Sequence, residues 1–399
     1  MEIREVRLGD VAAVKGGKRL PKGTNLITMP NSHPYIRVRD LNGRRTLELN
    51  SSFEFVDDET QKTISRYIVD NGDIVLSIVG TIGLLAIIGK SLDKANLTEN
   101  CVKLTSLSGI DRDFLYYFLK SSFGQQEITR GTVGAVQAKL PIKNIQDITI
   151  PLPDEFAQRK IAAILSSLDE KIEANQKIND NLEQQARAYF QELFVDSSDS
   201  TWTLGTVSDL GAIVGGSTPS KAKPEYYTED GIAWITPRDL SINKAKFISH
   251  GENDITELGL KNSSASIMPE GTVLFSSRAP IGYIAIASGE VTTNQGFKSV
   301  VPKPEIGTAY VYYFLKHNLP VIEGMASGST FKEVSGSTMK NVPAVIPDTE
   351  TLARFNDFCA PIFIQQRILE EQNQSLAALR DSLLPKLMSG ELDVSGIQL

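Results

Sequence analysis

The sequence predicts an α+β molecule built twice: two globular domains joined by two long antiparallel coiled-coil helices, related by a pseudo-two-fold internal repeat. Three observations carry this. A heptad seam runs unbroken through Pro151–Phe194, with Ile161, Leu165, Leu168, Ile172, Asn175, Asn179, Leu182, Ala186, Tyr189 and Leu193 stepping by four and three. A second seam runs through 347–388, with Leu352, Phe355, Cys359, Ile362, Gln366, Leu369, Asn373, Leu376, Arg380, Leu383 and Leu387. The stretches before each seam share a series of short motifs in the same order.

Taken in order, the first domain is 1–150. It holds Leu8-Gly9-Asp10-Val11, the glycine-rich GGKRLPKG from Gly16, and YIRVRDL at 35–41. The apolar run Ile74–Gly89 is too short to span a bilayer and is broken by Ser77, Gly80, Thr81 and Gly83, so it predicts two buried strands with a turn between them. Asp111–Ser122 reads as a helix with Phe, Leu and Tyr on one face. The segment 151–200 is the central helix and a polar linker, DSSDS at 196–200. Asp154 is placed to cap the first turn of that helix. At ~1.5 Å per residue a helix of ~40 residues is a rod of roughly 60 Å, which needs a partner to bury its seam.

The second domain, 201–345, repeats the first. Leu204-Gly205-Thr206-Val207 matches the LGDV segment, Gly215-Gly216-Ser217 matches Gly16-Gly17-Lys18, and WITPRDL at 234–240 matches YIRVRDL. EGTVLFSSRAPIG at 270–282 matches NGDIVLSIVGTIG at 71–83, with Thr272–Ser276 a strand, and Thr308–Asn318 is the matching helix. The last segment, 346–399, is the C-terminal helix. Pro361 lies inside it and is expected to kink it or to split off 349–360, because proline removes a backbone donor and crowds the preceding turn. The helices are expected to pair through Ile161, Leu165, Leu168, Ile172, Asn179, Leu182 and Leu193 on one side and Phe355, Ile362, Leu369, Asn373, Leu376, Leu383 and Leu387 on the other. Asn179 and Asn373 are equivalent in the repeat, and pairing like with like puts them face to face, with Leu165 beside Leu387 and Leu193 beside Cys359.

Composition narrows the function. The chain is 41% hydrophobic with a formal net charge of −7, which excludes a simple basic nucleic-acid binder. The acid is concentrated in the helices: 1–150 is roughly +3, whereas 151–200 is roughly −5 and 346–399 roughly −4, leaving room for a local basic groove on the domains. Two cysteines in different contexts, Cys101 and Cys359, predict no disulfide, and the charged start MEIREVRLGD predicts no signal peptide; both point to the cytoplasm.

No catalytic constellation stands out. The Asn-Pro-Pro-aromatic and Asp-Pro-Pro-Tyr motifs of amino-methyltransferases are absent. Gly83–Ser91 resembles a phosphate loop but has one residue too many between its glycines, filled with apolar side chains, and reads as a buried strand end. His33, His250 and His317 lack metal-ligand spacing, so no metal site is expected. What remains are polar side chains on glycine-rich loops: Lys18, Arg19 and Lys22; Arg37, Arg39 and Arg238; Ser217, Ser220, Lys221 and Lys223; Arg278; Asn294, Gln295 and Lys298, set opposite Glu99, Asn100 and Lys103; and the closing stretches TVGAVQAK at 132–139, with Gln137 and Lys139, and SGSTFK at 327–332, with Lys332. Arg and Lys hold guanine or phosphate, and Asn and Gln pair with adenine, so these are the candidate DNA contacts.

Two variable domains, each followed by a long helix, resemble the DNA specificity (S) subunit of type I restriction–modification systems. The stretches SSRAPIGYIAIASGEVTTNQGFK at 276–298, WITPRDL at 234–240, KIEANQKINDNLEQQARAYFQELF at 171–194 and LRDSLLPKLMSGEL at 379–392 carry the resemblance. It implies two target-recognition domains, 1–150 and 201–345, each reading one half of a bipartite asymmetric site on double-stranded DNA. It implies helices that act as a spacer and dock two modification (methyltransferase) subunits. It implies a non-catalytic chain without its own cofactor, S-adenosylmethionine and ATP/Mg being expected in partner subunits, with restriction subunits as further partners and no membrane. The alternatives are a coiled-coil interaction protein that does not read DNA, and a DNA methyltransferase or nuclease in its own right.

Overall fold

The computed structural model describes residues 3–41, 43–134, 136–328, 332–394 and 396. The chain forms two compact units, one of Met1–Ala174 with Asn373–Leu399, the other of Asn175–Gln372. Each unit holds one globular domain and half of each long helix.

In the first unit a five-stranded sheet runs in the order Ala13–Gly16, Cys101–Thr105, Ile74–Ser77, Leu85–Ile88, Thr46–Leu47, and a three-stranded sheet in the order Glu54–Phe55, Pro34–Ile36, Asn96–Leu97. The apolar run Ile74–Gly89 is the expected pair of buried antiparallel strands, closed by a turn. The helix Arg112–Lys120 packs Phe114, Leu115 and Phe118 into the core formed by Ile74, Leu76 and Ile87. The second unit repeats this order: Gly211–Gly215, Lys298–Pro302, Val273–Phe275, Ile284–Ala287, Phe247–Ile248 in the larger sheet, with the helix Thr308–His317 in its core. Its smaller sheet gains a strand, Tyr227–Thr228.

The duplication is therefore structural, but two sequence matches shift. The short helix Leu8–Val11, entered by a bond from Leu8 N to Ile148 O, corresponds to Val207–Leu210, entered from Val207 N to Val342 O. It does not correspond to Leu204–Val207; Thr203–Thr206 is instead the strand paired with Pro343–Ile346. Repeated small and apolar residues produced a match in the wrong register.

The central helix spans Glu155–Gln191 and the C-terminal helix Thr349–Met388. Asp154 Oδ1 accepts from Ala157 N at 2.9 Å and Asp348 Oδ1 from Thr351 N at 2.8 Å, so equivalent carboxylates cap both first turns. Pro151 and Pro153 belong to the strand Thr149–Pro153, paired with Ile3–Arg7, and lie outside the helix. The C-terminal helix runs through Pro361 without a break. Pro361 and Asp357, whose carbonyl the proline leaves without a helical donor, are both exposed, so water can satisfy that carbonyl.

The helices run antiparallel in each unit. In the first, Ile161 and Leu165 share a core with Leu384, Leu387 and Met388; in the second, Ala186, Phe190 and Leu193 share one with Leu352, Phe355, Cys359 and Ile362. Ile172 and Leu369 are buried, and Leu168, Leu182, Leu376 and Leu383 half-buried. The seam is the expected one, with Leu384 more buried than Leu383. The register is not. Asn179 O accepts from Gln366 Nε2 at 3.2 Å, and Asn175 Nδ2 donates to Gln372 Oε1 at 3.4 Å. The place opposite Asn179 is thus taken by Gln366, one heptad before Asn373. Rings decide this: Tyr189 packs at a tilt against Phe355 and Phe358, and Phe194 meets Phe355 edge-on at 5.1 Å. Large aromatic surfaces outweigh one asparagine–asparagine bond.

Each domain is fastened to the helices by buried polar groups at matching places. In the first unit Tyr117 donates to Asp169 Oδ2 at 2.8 Å, and Thr46 N donates to Glu173 at 3.2 Å. In the second, Tyr313 donates to Glu183 at 2.8 Å, while Lys246 N and Phe247 N donate to the two oxygens of Glu370. Arg45 and Lys246 sit at equivalent strand starts, since Ile87 N bonds Arg45 O and Ile286 N bonds Lys246 O. Arg45 pairs with Asp113, and Lys246 with Glu183 and with Gln366 at 2.7 Å.

Candidate nucleic-acid interface

In each unit parallel strand pairing gathers three loops. Tyr35 and Ile36 pair with Asn96 and Leu97, so the loops at 37–40 and 98–100 leave the sheet side by side. The loop from Gly17 joins them through Gly17 N to Cys101 O and Lys18 N to Leu97 O. A Cβ on Gly17 would lie 2.0 Å from Thr98 O, which is why the segment needs glycine there. The second unit repeats the arrangement: Trp234 and Ile235 pair with Thr292 and Thr293, Ser217 N bonds Thr293 O, and a Cβ on Gly216 would lie 1.9 Å from Asn294 O. An aromatic donor steadies each first loop, Tyr35 Oη on Lys18 O at 2.7 Å and Trp234 Nε1 on Ser217 O at 2.9 Å.

These bonds correct the alignment of the third loop. Thr98 N and Asn294 N both donate to the strand opposite, to Ile36 O and Ile235 O, and Ile78 N and Ser277 N reach Asn100 O and Gly296 O. Glu99 is therefore equivalent to Gln295, and Lys103 to Ser299, one residue away from the match suggested by TENCVK and TTNQGFK.

The RDL segments are framework. Asp40 and Asp239 are buried and accept from Arg37 N and Thr236 N, each at 2.7 Å, closing the first turn that follows. Burial pushes the Asp40 carboxyl up to about 6. Arg39 and Arg238 project from these turns, Arg39 to Glu54 at 2.8 Å and Arg238 to Glu252 at 3.0 Å. Arg37 also pairs with Glu54.

Of the other candidates, Lys18, Arg19, Gln137, Lys139, Lys221 and Lys332 are exposed, and Asn100, Asn294 and Gln295 line the converging loops. Arg19 Nε donates to Glu99 at 2.6 Å. Gln295 Oε1 accepts from the Thr218 hydroxyl, and Asn294 Oδ1 from Gly296 N at 2.8 Å. Arg278 pairs with Glu333 at 3.1 Å, and Lys298 approaches the same carboxylate at 3.9 Å. Burial lowers the Lys298 ammonium from its ordinary value. Val133 and Lys139 exchange reciprocal backbone bonds beside Gln137, and Ser327 and Glu333 do the same in the second unit. Ala135 and residues 329–331 of the two closing stretches lie outside the described residues.

One candidate is overturned. Lys103 is buried and lies 2.9 Å from both Asp70 and Asp73. It neutralises two carboxylates from within the sheet, where its strand is paired on both sides, and is not available to DNA.

Sequence reasoning missed the acidic partners Glu54, Glu252 and Glu333, which no motif marks, and also Thr218. Among the described residues no group of three or more His, Cys, Asp or Glu is arranged for a metal, and no helix is long and apolar enough to cross a membrane. His33 and His250 pair with Asp58 and Asp254, and His317 packs on Phe190.

The sequence matches the family model of the type I restriction modification DNA specificity domain twice, over residues 2–184 and 199–379. The chain belongs to that family. The type I specificity family also supplies its relatives. The MjaIX specificity subunit of Methanocaldococcus jannaschii is 40% identical over 191 residues, 46% of this chain and 44% of that one. The HindI specificity subunit of Haemophilus influenzae is 24% identical over 329 residues, 64% of this chain and 71% of that one. The chain thus spans less than half the length of the first of these. The S subunit from M. genitalium shares the fold, with a TM-score of 0.60 at 18% identity, over 97% of this chain and 96% of that one. Two specificity domains in tandem account for the two equivalent sets of converging loops.

Proposed function

We propose that this chain is the DNA-reading subunit of a type I restriction–modification complex, each unit reading one half of a bipartite asymmetric site. The observation that carries this is the pair of loop sets held by equivalent backbone bonds at Lys18 and Ser217 and at Thr98 and Asn294 but bearing different polar side chains. A shared framework with altered side chains is what two readers of different sequences need. The chain itself is non-catalytic and cytoplasmic. Methyl transfer belongs to two docked modification subunits that bind S-adenosylmethionine, and ATP/Mg-dependent cleavage belongs to restriction subunits where these are present. The long helices set the distance between half-sites.

The test is to assemble the chain with the modification subunits and map methylated bases across a genome. One bipartite motif with a fixed spacer is expected, lost when this chain is omitted. Motif methylation without it, or none with it, would refute the reading.

A further inference from the structure

Resting on that reading, we propose that one side-chain pair, at a single equivalent position in each unit, sets a base that each half-site demands: Arg19 with Glu99 selects guanine in the first, and Gln295 with Thr218 selects adenine in the second. The equivalence is fixed by backbone. Arg19 and Thr218 each follow the residue whose N–H bonds the neighbouring strand, Lys18 to Leu97 and Ser217 to Thr293. Glu99 and Gln295 each follow the residue bonded to Ile36 O or Ile235 O. In both units the two side chains then meet across the loops, Arg19 on Glu99 and Thr218 on Gln295.

This is where the chemistry of the two readers diverges. Arg39 and Arg238 are the same residue in both units, each beside a glutamate, and so cannot distinguish the half-sites. Arg37 faces Thr236 in the repeat, but its guanidinium is drawn into the Glu54 carboxylate and is largely covered. The pair at 19 and 99 is a cation with its buttress; the pair at 218 and 295 is neutral.

Geometry assigns the bases. Glu99 holds Arg19 through Nε, which leaves the outer two nitrogens of the fork, and the side chain is 81% exposed. Among the described residues no other group bonds them. Two parallel donors fit O6 and N7 of guanine in the major groove. The ion pair raises Arg19 and, against partial burial, lowers Glu99, so both stay charged. In the second unit the Thr218 hydroxyl occupies one lone pair of Gln295 Oε1. The second lone pair and Nε2 remain to meet N6 and N7 of adenine. Gln295 opens on a cavity of about 320 Å³ lined also by Thr218, Lys221, Trp234, Thr236 and Arg238.

The experiment exchanges the pairs in the full complex with its modification subunits. Arg19→Thr with Glu99→Gln gives the first unit the neutral pair; Thr218→Arg with Gln295→Glu gives the second the charged one. A plasmid library with randomised half-sites is methylated, and the methylated sites are sequenced. The first exchange is expected to cost one guanine of one half-site at least tenfold in preference, with adenine gaining there, while the other half and the spacer stay as they were. The second should do the reverse in the other half. Co-purification with the modification subunits verifies assembly. An assembled variant that keeps the original motif, shifts both halves, or methylates every site more slowly without changing preference overturns the assignment. A parent complex that methylates no bipartite motif overturns the DNA reading beneath it.

Discussion

Arg380 Nη1 donates to Asp169 Oδ1 at 2.5 Å, tying the C-terminal helix to the central helix inside the first unit. Both side chains are largely buried, and Asp169 also accepts from the Tyr117 hydroxyl, so one carboxylate joins the two helices to the domain. Arg380→Ala leaves Asp169 buried with its main counter-charge gone. The expected loss is about 3–5 kcal/mol, read as a shift of the urea midpoint. A loss below ~1 kcal/mol would show the pair to be incidental.

In the second unit the carboxylate that accepts from Tyr313, the counterpart of Tyr117, is pH-sensitive. Burial alone would raise Glu183, but Lys246 and Lys316 hold it down at about 2, well below its ordinary 4.5. A depressed carboxylate contributes stability that is whole above the unfolded value and is lost as pH falls through the folded one, here between about 4.5 and 2. Both tryptophans, Trp202 and Trp234, lie in this unit, so their fluorescence reports on it alone. Relative to Glu183→Gln, the native chain should lose about 3 kcal/mol across that window. Parallel curves for the two proteins would place the acid sensitivity elsewhere.

The halves should be separable. Lys18→Ala with Arg19→Ala is expected to weaken discrimination in one half-site about tenfold or more, and Arg278→Ala with Asn294→Ala and Gln295→Ala in the other. Methylation of half-site variants by the assembled complex measures this. Equal damage to both halves from either set would mean that the units do not read independently.

Lys103 should behave in the opposite way. Its ammonium serves Asp70 and Asp73, so Lys103→Ala is expected to destabilise the first unit by about 3 kcal/mol while leaving the methylated motif of the surviving complex unchanged. An altered motif at normal stability would return Lys103 to the list of DNA contacts.

The contrast between Arg19 and Lys103 shows where sequence stops informing. Both are basic residues beside a glycine-rich or polar loop, and pattern alone ranks them together. Strand register separates them, because Lys103 pairs with Val75 and Lys15 in mid-sheet whereas Arg19 lies past the last ladder bond. The long helices, the buried strand pair and the duplication were legible because period and repetition are properties of the chain itself. Helix register was not legible: it turns on how Tyr189, Phe194 and Phe355 fit together, and heptad positions do not encode ring packing. The acidic partners escaped for a similar reason, since Glu54 and Glu333 meet their arginines only through the fold.

If the helices set half-site spacing, the observed register dictates how to lengthen them. Asn175 meets Gln372 where the chain passes from one unit to the other, between Glu173, which holds the first domain, and Glu370, which holds the second. Seven residues inserted after Lys177 alone would displace one seam against the other and expose apolar layers. Seven inserted there and seven after Glu371 keep every a and d layer paired on both sides. At ~1.5 Å per residue this adds roughly 10 Å, close to the rise of three base pairs at ~3.4 Å each. The double insertion is expected to leave both half-site sequences intact and to lengthen the spacer by about three base pairs. Motif mapping of the assembled variant reads both quantities at once. An unchanged spacer would move the ruler from the helices to the docked subunits, and altered half-sites would show that the domains are not carried as rigid readers.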